Sequence, residues 1–116
     1  MIPGIYLIGF RSNLMDFGGG LVVLDDGTIH GGDANYAYRG RYQVGGTLLT
    51  GTTVTAQIHV SHHTGPLNSV FGPLREFDLN LTGSADENSF TLSGQIAGQP
   101  QYTISIRGEK KAPLVT

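Results

Sequence analysis

The sequence contains no cysteine. The chain therefore has no disulfide framework, no thiol nucleophile and no cysteine-ligated zinc or iron–sulfur site. Its stability must come from a packed core, and one domain of 116 residues can bury roughly two-thirds of the surface that its unfolded chain exposes. A hydrophobic content of 39% is sufficient for such a core. We expect residues 1–116 to form a single domain.

Charged residues are also scarce. They make up 14% of the chain, and seven basic against nine acidic side chains give a formal net charge of −2. Nucleic-acid binding requires clustered Lys and Arg that neutralise phosphates, so the composition indicates no direct nucleic-acid partner. The uncharged surface that remains favours a face that meets another protein.

Long apolar runs are missing as well. No stretch of the sequence approaches the length of a membrane-spanning helix. The first residues lack the basic and apolar segments of a secretory signal. Together with the absence of cysteine, these features predict a cytoplasmic protein with no membrane partner.

Glycine, in contrast, is abundant, and its 18 residues separate short segments in which apolar and polar side chains alternate. A period of two is typical of strands with one buried and one solvent-facing side, and no stretch has the spacing of an amphipathic helix. The clearest segments are 75–82, 89–96 and 101–107, and two more lie at 36–44 and 54–61. We count about eight such strands.

Eight strands in an open sheet would leave two exposed edges, which closure removes. The predicted fold is all-β, a small closed antiparallel eight-stranded barrel, with a β-sandwich as the alternative. A barrel of this size is either filled by its own side chains or holds one small apolar ligand. The residues predicted to line such a cavity are Tyr38, Tyr42, Ile58, Phe77, Leu79, Phe90, Leu92 and Ile104.

Two segments near the N-terminus, 5–8 and 21–24, are apolar on both faces of their predicted strands. A strand buried on both faces needs cover outside the barrel, and the chain has no helix to provide it. We therefore expect a homodimer. Its predicted interface comprises Ile5, Leu7, Leu21, Val22, Val23 and Leu24.

Two turns have recognisable signals. The dipeptide Asp26 and Gly27 is typical of a two-residue hairpin turn. Gly31 and Gly32 suit a bulge or a close approach of two backbones. The carboxylate of Asp33, which follows them, can anchor a turn by accepting hydrogen bonds from backbone N–H groups. We assign these last three residues a structural rather than a catalytic role.

The groups that could carry catalysis do not form a site in the sequence. His59 and His62 point to opposite faces of a strand, and acidic ligands are absent from the stretch around them. Glu76 and Asp78 share a strand face at about 6.7 Å, a spacing that overlaps that of glycosidase carboxylates. They lie opposite the apolar face, however, where both are solvated. We therefore predict no enzyme activity, no metal and no cofactor.

A set of short segments spread along the chain carries a family resemblance. They are 4–6, Phe10, 12–13, 18–23, 26–33, Tyr36, Tyr38, Gly40, Tyr42, 70–72, 77–83 and 90–94. On these residues the chain resembles the GrlR-type family of negative regulators of type III secretion, up to about Arg107. The most specific part is Gly31, Gly32 and Asp33 followed by the spaced tyrosines.

The resemblance implies a lipocalin-like or calycin-like barrel that dimerises and represses by holding a transcriptional activator rather than by contacting DNA. Members of the family present an acidic surface run to the activator, and the corresponding candidate here is the loop with Asp86 and Glu87. The predicted function is therefore a non-enzymatic bacterial regulatory protein that sequesters a transcriptional activator. The alternative is an intracellular barrel that binds a small apolar, lipid-like ligand.

Overall fold

Eight antiparallel strands make up the regular secondary structure of the residues that the computed structural model describes, which are 3–16, 18–47 and 51–115. They are β1 (Gly4–Ser12), β2 (Gly18–Asp25), β3 (Thr28–Gly32), β4 (Tyr36–Thr47), β5 (Gly51–His62), β6 (Glu76–Ala85), β7 (Ser89–Ile96) and β8 (Gln99–Ala112). None of the described residues forms a helix long and apolar enough to cross a membrane.

Each strand pairs with the next one along the chain, and β8 pairs with β1, so the sheet closes on itself. The predicted closed eight-stranded barrel is confirmed, and its architecture is consistent with small lipocalin-like or calycin-like barrels. The β-sandwich alternative is wrong, because all eight strands belong to one closed sheet rather than to two packed sheets.

The alternation in the sequence decides which side chains point into the barrel. In β5, Val54, Ala56 and Ile58 are buried, whereas Thr55 and Gln57 between them are exposed. The same rule holds in the other long strands, and the inward-facing side chains form one hydrophobic core. Each of the larger aliphatic side chains contributes roughly 1.5–3 kcal/mol by leaving water.

Val44 departs from this alternation. By its position in β4 it shares a face with Tyr36, Tyr38 and Tyr42, yet it is 48% exposed. The pairing of β3 with β4 ends at Arg41, so beyond that residue β4 has a neighbour on one side only. Val44, the last residue of the predicted alternating segment 36–44, is therefore exposed because its strand extends past its partner.

The turn between β2 and β3 has the conformation that its sequence predicts. Asp26 has a φ of 47° and Gly27 a φ of 85°, the two positive values of a type I′ turn. The Thr28 hydroxyl donates a hydrogen bond of 2.6 Å to the carbonyl of Asp25 and closes the turn from the side.

The strands that are apolar on both faces, β1 and β2, divide their side chains between the core and the outside. Val22 and Leu24 are 4% and 1% exposed and point into the barrel, so including them in the predicted dimer interface was wrong. Side chains of one strand alternate between the two faces, and a two-sided apolar pattern does not reveal which half points outward. The outward-facing apolar residues are Ile5, Leu7, Leu21 and Val23.

The connections fall at two opposite ends of the barrel. The β1–β2, β3–β4, β5–β6 and β7–β8 connections lie at one end, which we call the lid end. The remaining connections lie at the other end, the floor end, where β1 begins and β8 ends. The longest connection, residues 63–75 between β5 and β6, lies at the lid end, and we call it the lid.

Candidate ligand cavity

The barrel contains a cavity of about 390 Å³. Its volume is at the lower end of the range for small-molecule sites. Met15, Ala34 and Asn68 line the cavity and are also exposed to solvent, so the cavity opens at the lid end. All of the residues predicted to face it are in its lining, namely Tyr38, Tyr42, Ile58, Phe77, Leu79, Phe90, Leu92 and Ile104.

The wall of the cavity is apolar along the length of the barrel, and every strand contributes at least one aliphatic or aromatic side chain. Several of these residues were not among those predicted to line the cavity, although they occupy inward positions of their strands. They are Ile8, Phe10, Val22, Leu24, Ile29, Val54, Val60 and Ile106. The period of two identifies those in clearly alternating strands, such as Val54, Val60 and Ile106, but not Val22 and Leu24, whose segment is apolar on both faces.

Two aromatic residues on strands close part of the floor end. Tyr6 is completely buried, and its ring lies 5.4 Å from that of Phe90, centroid to centroid, at a tilt of 48°. Phe90 in turn lines the cavity. Both residues belong to hydrogen-bonded strands, so this closure cannot move without disturbing the barrel itself.

The lid covers part of the opposite end, beside the cavity mouth, with side chains from a loop. Val70 and Phe71 are buried there as deeply as residues of the strands. The ring of Phe71 makes edge contacts with Phe77 at 5.4 Å and with Tyr102 at 5.9 Å between centroids. Such aromatic pairs contribute about 0.5–1.5 kcal/mol beyond the area that they bury.

Several hydrogen bonds tie the lid to the strands. The hydroxyl of Tyr36 donates to the carbonyl of Leu74 at 2.6 Å and accepts from the N–H of Ser69 at 3.1 Å. The hydroxyl of Ser12 donates to the carbonyl of Val70 at 2.5 Å. The sequence did not reveal this lid, because its partners lie far away along the chain.

Asp33 organises the turn between β3 and β4 next to the cavity. Its Oδ1 accepts hydrogen bonds from the N–H groups of Asn35 at 2.9 Å and Tyr36 at 2.8 Å, the turn-anchoring role assigned to it from the sequence. Just before it, Gly31 permits a close approach of two strands, since a Cβ there would collide with the carbonyl of Leu21.

The second carboxylate oxygen of Asp33 accepts a short hydrogen bond from the hydroxyl of Tyr38. Tyr38 is buried and, like Asp33, lines the cavity. Burial and the neighbouring carboxylate both raise the pKa of Tyr38 far above its ordinary value. The phenol therefore stays protonated and acts as the donor to Asp33.

The histidines and carboxylates considered as catalytic candidates lie outside the cavity. His59 Nδ1 is 2.8 Å from Asp78 and its Nε2 is 3.6 Å from Glu76, so the neighbouring strand supplies the acids that the sequence around His59 lacks. Both carboxylates are largely exposed. Among residues 3–16, 18–47 and 51–115, no group of three or more His, Asp or Glu side chains is placed to hold a metal ion.

The loop with Asp86 and Glu87 lies at the floor end, away from the cavity mouth. The carboxylate of Asp86 accepts hydrogen bonds from the N–H groups of Asn88 at 2.9 Å and Ser89 at 2.8 Å, and from the Ser89 hydroxyl at 2.9 Å. These bonds, that from Asn88 above all, lower the pKa of Asp86. The Asp86 carboxylate is therefore engaged within its own turn, and Glu87 takes no part in these hydrogen bonds.

Comparison of the chain with models of protein families and with curated proteins finds no match. The geometry of the cavity is therefore the basis for assigning a function.

Proposed function

We propose that this protein binds one small, predominantly apolar ligand inside its barrel. The observation that carries the proposal is the cavity of about 390 Å³, with an apolar wall and a mouth at the lid end. This volume corresponds to about 13 groups of the size of a water molecule. An empty apolar cavity lowers the stability of a protein, and an eight-stranded barrel can be filled by its own side chains. A barrel that keeps such a cavity therefore favours a ligand-binding role.

We further propose that the protein acts by binding and not by catalysis, and that it does so in the cytoplasm. Two observations support the first part. At the lid end, the Tyr36 hydroxyl holds the lid to β4, and the Ser69 hydroxyl is engaged in a hydrogen bond within the lid. The Asp33 carboxylate is engaged with two backbone N–H groups and a phenol. These groups maintain the shape of the cavity mouth.

The proposal is tested by native mass spectrometry of the purified protein and by titration with the neutral fluorophore N-phenyl-1-naphthylamine. We expect a blue-shifted, saturable signal with a stoichiometry of one per chain. Leu92→Trp, which fills the cavity, should abolish the signal. The matched control Ser93→Trp, at an exposed outward position of the same strand, should preserve it. A wild-type protein that carries no ligand and gives no fluorescence change would exclude this function.

A second proposal concerns the outer face of β1 and β2. Leu7 and Leu21 are directly opposite each other on the two strands and are 49% and 50% exposed, and the pair of Ile5 and Val23 lies beside them. These four apolar side chains form one patch. We propose that it is the interface of a homodimer, and that the dimer serves as a regulator that holds a transcriptional activator, as the GrlR-type resemblance implies.

This second proposal is tested by light scattering coupled to size exclusion, followed by capture of partners from the native organism. We expect the wild type to elute as a dimer and Leu7→Lys as a folded monomer. Thr91→Lys, on an exposed outward position of β7, is the control and should remain dimeric. A monomeric wild type would exclude the dimer, and a capture experiment that returns no transcription factor would exclude the regulatory role.

A further inference from the structure

The polar groups of the cavity lining are concentrated at the lid end. They are Asp33, Asn35, Asn68, Ser69 and the hydroxyls of Tyr36 and Tyr38, while Tyr42 is the polar residue of the described lining nearer the floor. A ligand that fills the apolar wall would place any polar head group among these residues. The chemistry at this end therefore determines which head group can be accommodated.

Several of these donors are already used within the protein. Tyr36 donates its hydroxyl proton to Leu74, and Ser69 donates its own to the carbonyl of Gly72 at 2.6 Å. The side-chain amide of Asn35 donates one N–H to the carbonyl of Thr64 at 3.1 Å, which leaves its second N–H and its oxygen. Asn68, exposed at the rim, keeps an amide that can donate or accept.

Asp33 and Tyr38 present only acceptors to a ligand. A carboxylate has no proton to donate, and the Tyr38 proton is directed at Asp33. The phenolic oxygen of Tyr38 and the remaining lone pairs of Asp33 can each receive a further hydrogen bond. A ligand hydroxyl or ammonium group would satisfy them, whereas a second carboxylate would not.

Among the residues that the structure describes, no Lys or Arg side chain balances the charge of Asp33 in the cavity. None of the seven Lys and Arg residues of the chain lines the cavity, and none makes an ion pair with Asp33. His63 approaches the main-chain oxygen of Asp33 at 3.1 Å rather than its carboxylate. Two like charges close together in a site of low dielectric constant repel each other strongly, while an opposite charge is attracted.

From these contacts we infer that the cavity selects amphiphiles whose head group donates a hydrogen bond, an alcohol or an amine, and discriminates against fatty-acid anions. The inference rests on the proposed ligand-binding function and specifies its ligand class. Asp33 is the residue that determines this specificity, through its charge, and Tyr38 shares in it by presenting an acceptor.

The test uses four probes of similar length that displace N-phenyl-1-naphthylamine at pH 8: 1-decanol, decylamine, methyl nonanoate and decanoate. In the wild type we expect decanol and decylamine to bind at least tenfold more tightly than decanoate. Methyl nonanoate, which is uncharged but only accepts hydrogen bonds, should fall between them. This ranking in the wild type is a test that no folding defect of a variant can obscure.

The variant Asp33→Asn keeps an oxygen for the turn and removes the charge. We expect it to reduce the discrimination against decanoate at least tenfold and to weaken decylamine at least fivefold. Asp86→Asn is the matched control, because Asp86 anchors a turn with the same hydrogen bonds but lies outside the cavity lining. Its preferences should equal those of the wild type.

The outcomes separate this inference from the function on which it rests. If none of the four probes displaces the fluorophore and the fluorophore itself does not bind, the proposed function is wrong. If decanoate binds the wild type as tightly as decanol, the cavity function stands and the inference is wrong. Equal effects of Asp33→Asn and Asp86→Asn would also overturn it.

Discussion

The two ends of the barrel are closed in different ways. At the floor end the closure comes from Tyr6 and Phe90, which belong to paired strands. At the lid end it comes from Val70 and Phe71, which belong to a loop held by a few hydrogen bonds and ring contacts. A loop can open locally at a lower free-energy cost than a strand can leave a sheet. The proposed ligand function therefore predicts that exchange takes place at the lid end.

The two ends can also be compared through two aspartates, each of which anchors a turn with the same set of hydrogen bonds. Asp33 at the lid end and Asp86 at the floor end each accept hydrogen bonds from the N–H groups two and three residues later and from one hydroxyl. They differ in surroundings. Asp33 lines the cavity and binds the buried Tyr38, whereas Asp86 is in solvent.

The largest expected effects come from truncating one aromatic residue at each end. Tyr6→Ala and Phe71→Ala should each lower the free energy of unfolding by about 3–5 kcal/mol, Tyr6→Ala by more, because both remove a buried ring. Hydrogen exchange distinguishes them. Tyr6→Ala should increase exchange throughout the strands, whereas Phe71→Ala should increase it mainly in residues 63–75. If exchange increased equally in the lid and in the strands of both variants, the lid would not open independently of the barrel.

The next largest expected effect is the difference in stability loss between substitutions of the two aspartates. Asp33→Ala should lower the free energy of unfolding by about 2 kcal/mol, since it removes a turn anchor and leaves the Tyr38 hydroxyl without its acceptor. Asp86→Ala should cost clearly less, because solvent replaces the lost acceptor. Urea denaturation of the wild type, Asp33→Ala and Asp86→Ala measures the loss of unfolding free energy in each variant. Equal losses would mean that burial of the motif does not matter.

Alkaline pH should affect the lid end through Tyr38. Its pKa is raised in the folded protein, so the unfolded chain loses the phenol proton first. The stability that this residue contributes is complete below pH of about 10 and declines as the pH rises further. Tyr38→Phe should therefore show a shallower loss of stability above pH 10 than the wild type. If the free energy of unfolding fell equally with pH in the wild type and in Tyr38→Phe, the assigned burial and hydrogen bond of Tyr38 would be contradicted.

Acidic pH should produce the smallest effect, at the floor end. The pKa of Asp86 is lowered in the folded protein, so its contribution is present above the ordinary value of about 3.9 and is lost as the pH falls through the folded value. The difference in melting temperature between the wild type and Asp86→Ala should thus be constant near neutrality and vanish in strong acid. A difference that persists below pH 2 would refute this.

Much of the fold and of the cavity wall could be predicted from the sequence, because both depend on local alternation. The inward positions of Ile58, Leu79 and Leu92, for example, follow from the period of two alone. The outward half of β1 and β2 could not be identified, since residues such as Leu21 and Val22 are equally apolar. Only the closed sheet fixes which of them faces the core.

The lid was beyond prediction for a different reason. Its contacts join residues far apart in the chain, as in the bond from Ser12 to Val70, and the segment has no periodicity that would indicate a buried position. The pairing of Tyr38 with Asp33 likewise depends on how the chain turns between β3 and β4. Side-chain contacts of this kind require knowledge of the register, which the pattern of apolar residues does not supply.

The seam between β1 and β8 differs from every other pairing in the barrel, because it joins strands from opposite ends of the chain. The other seven pairings each connect consecutive strands and can form as local hairpins, whereas this one must wait for nearly all of the chain. A protein with this seam open would be a curled sheet with two unpaired edges, a template for adding strands of other molecules. Substitutions that weaken the β1–β8 seam should consequently favour aggregation well before the remaining strands unfold.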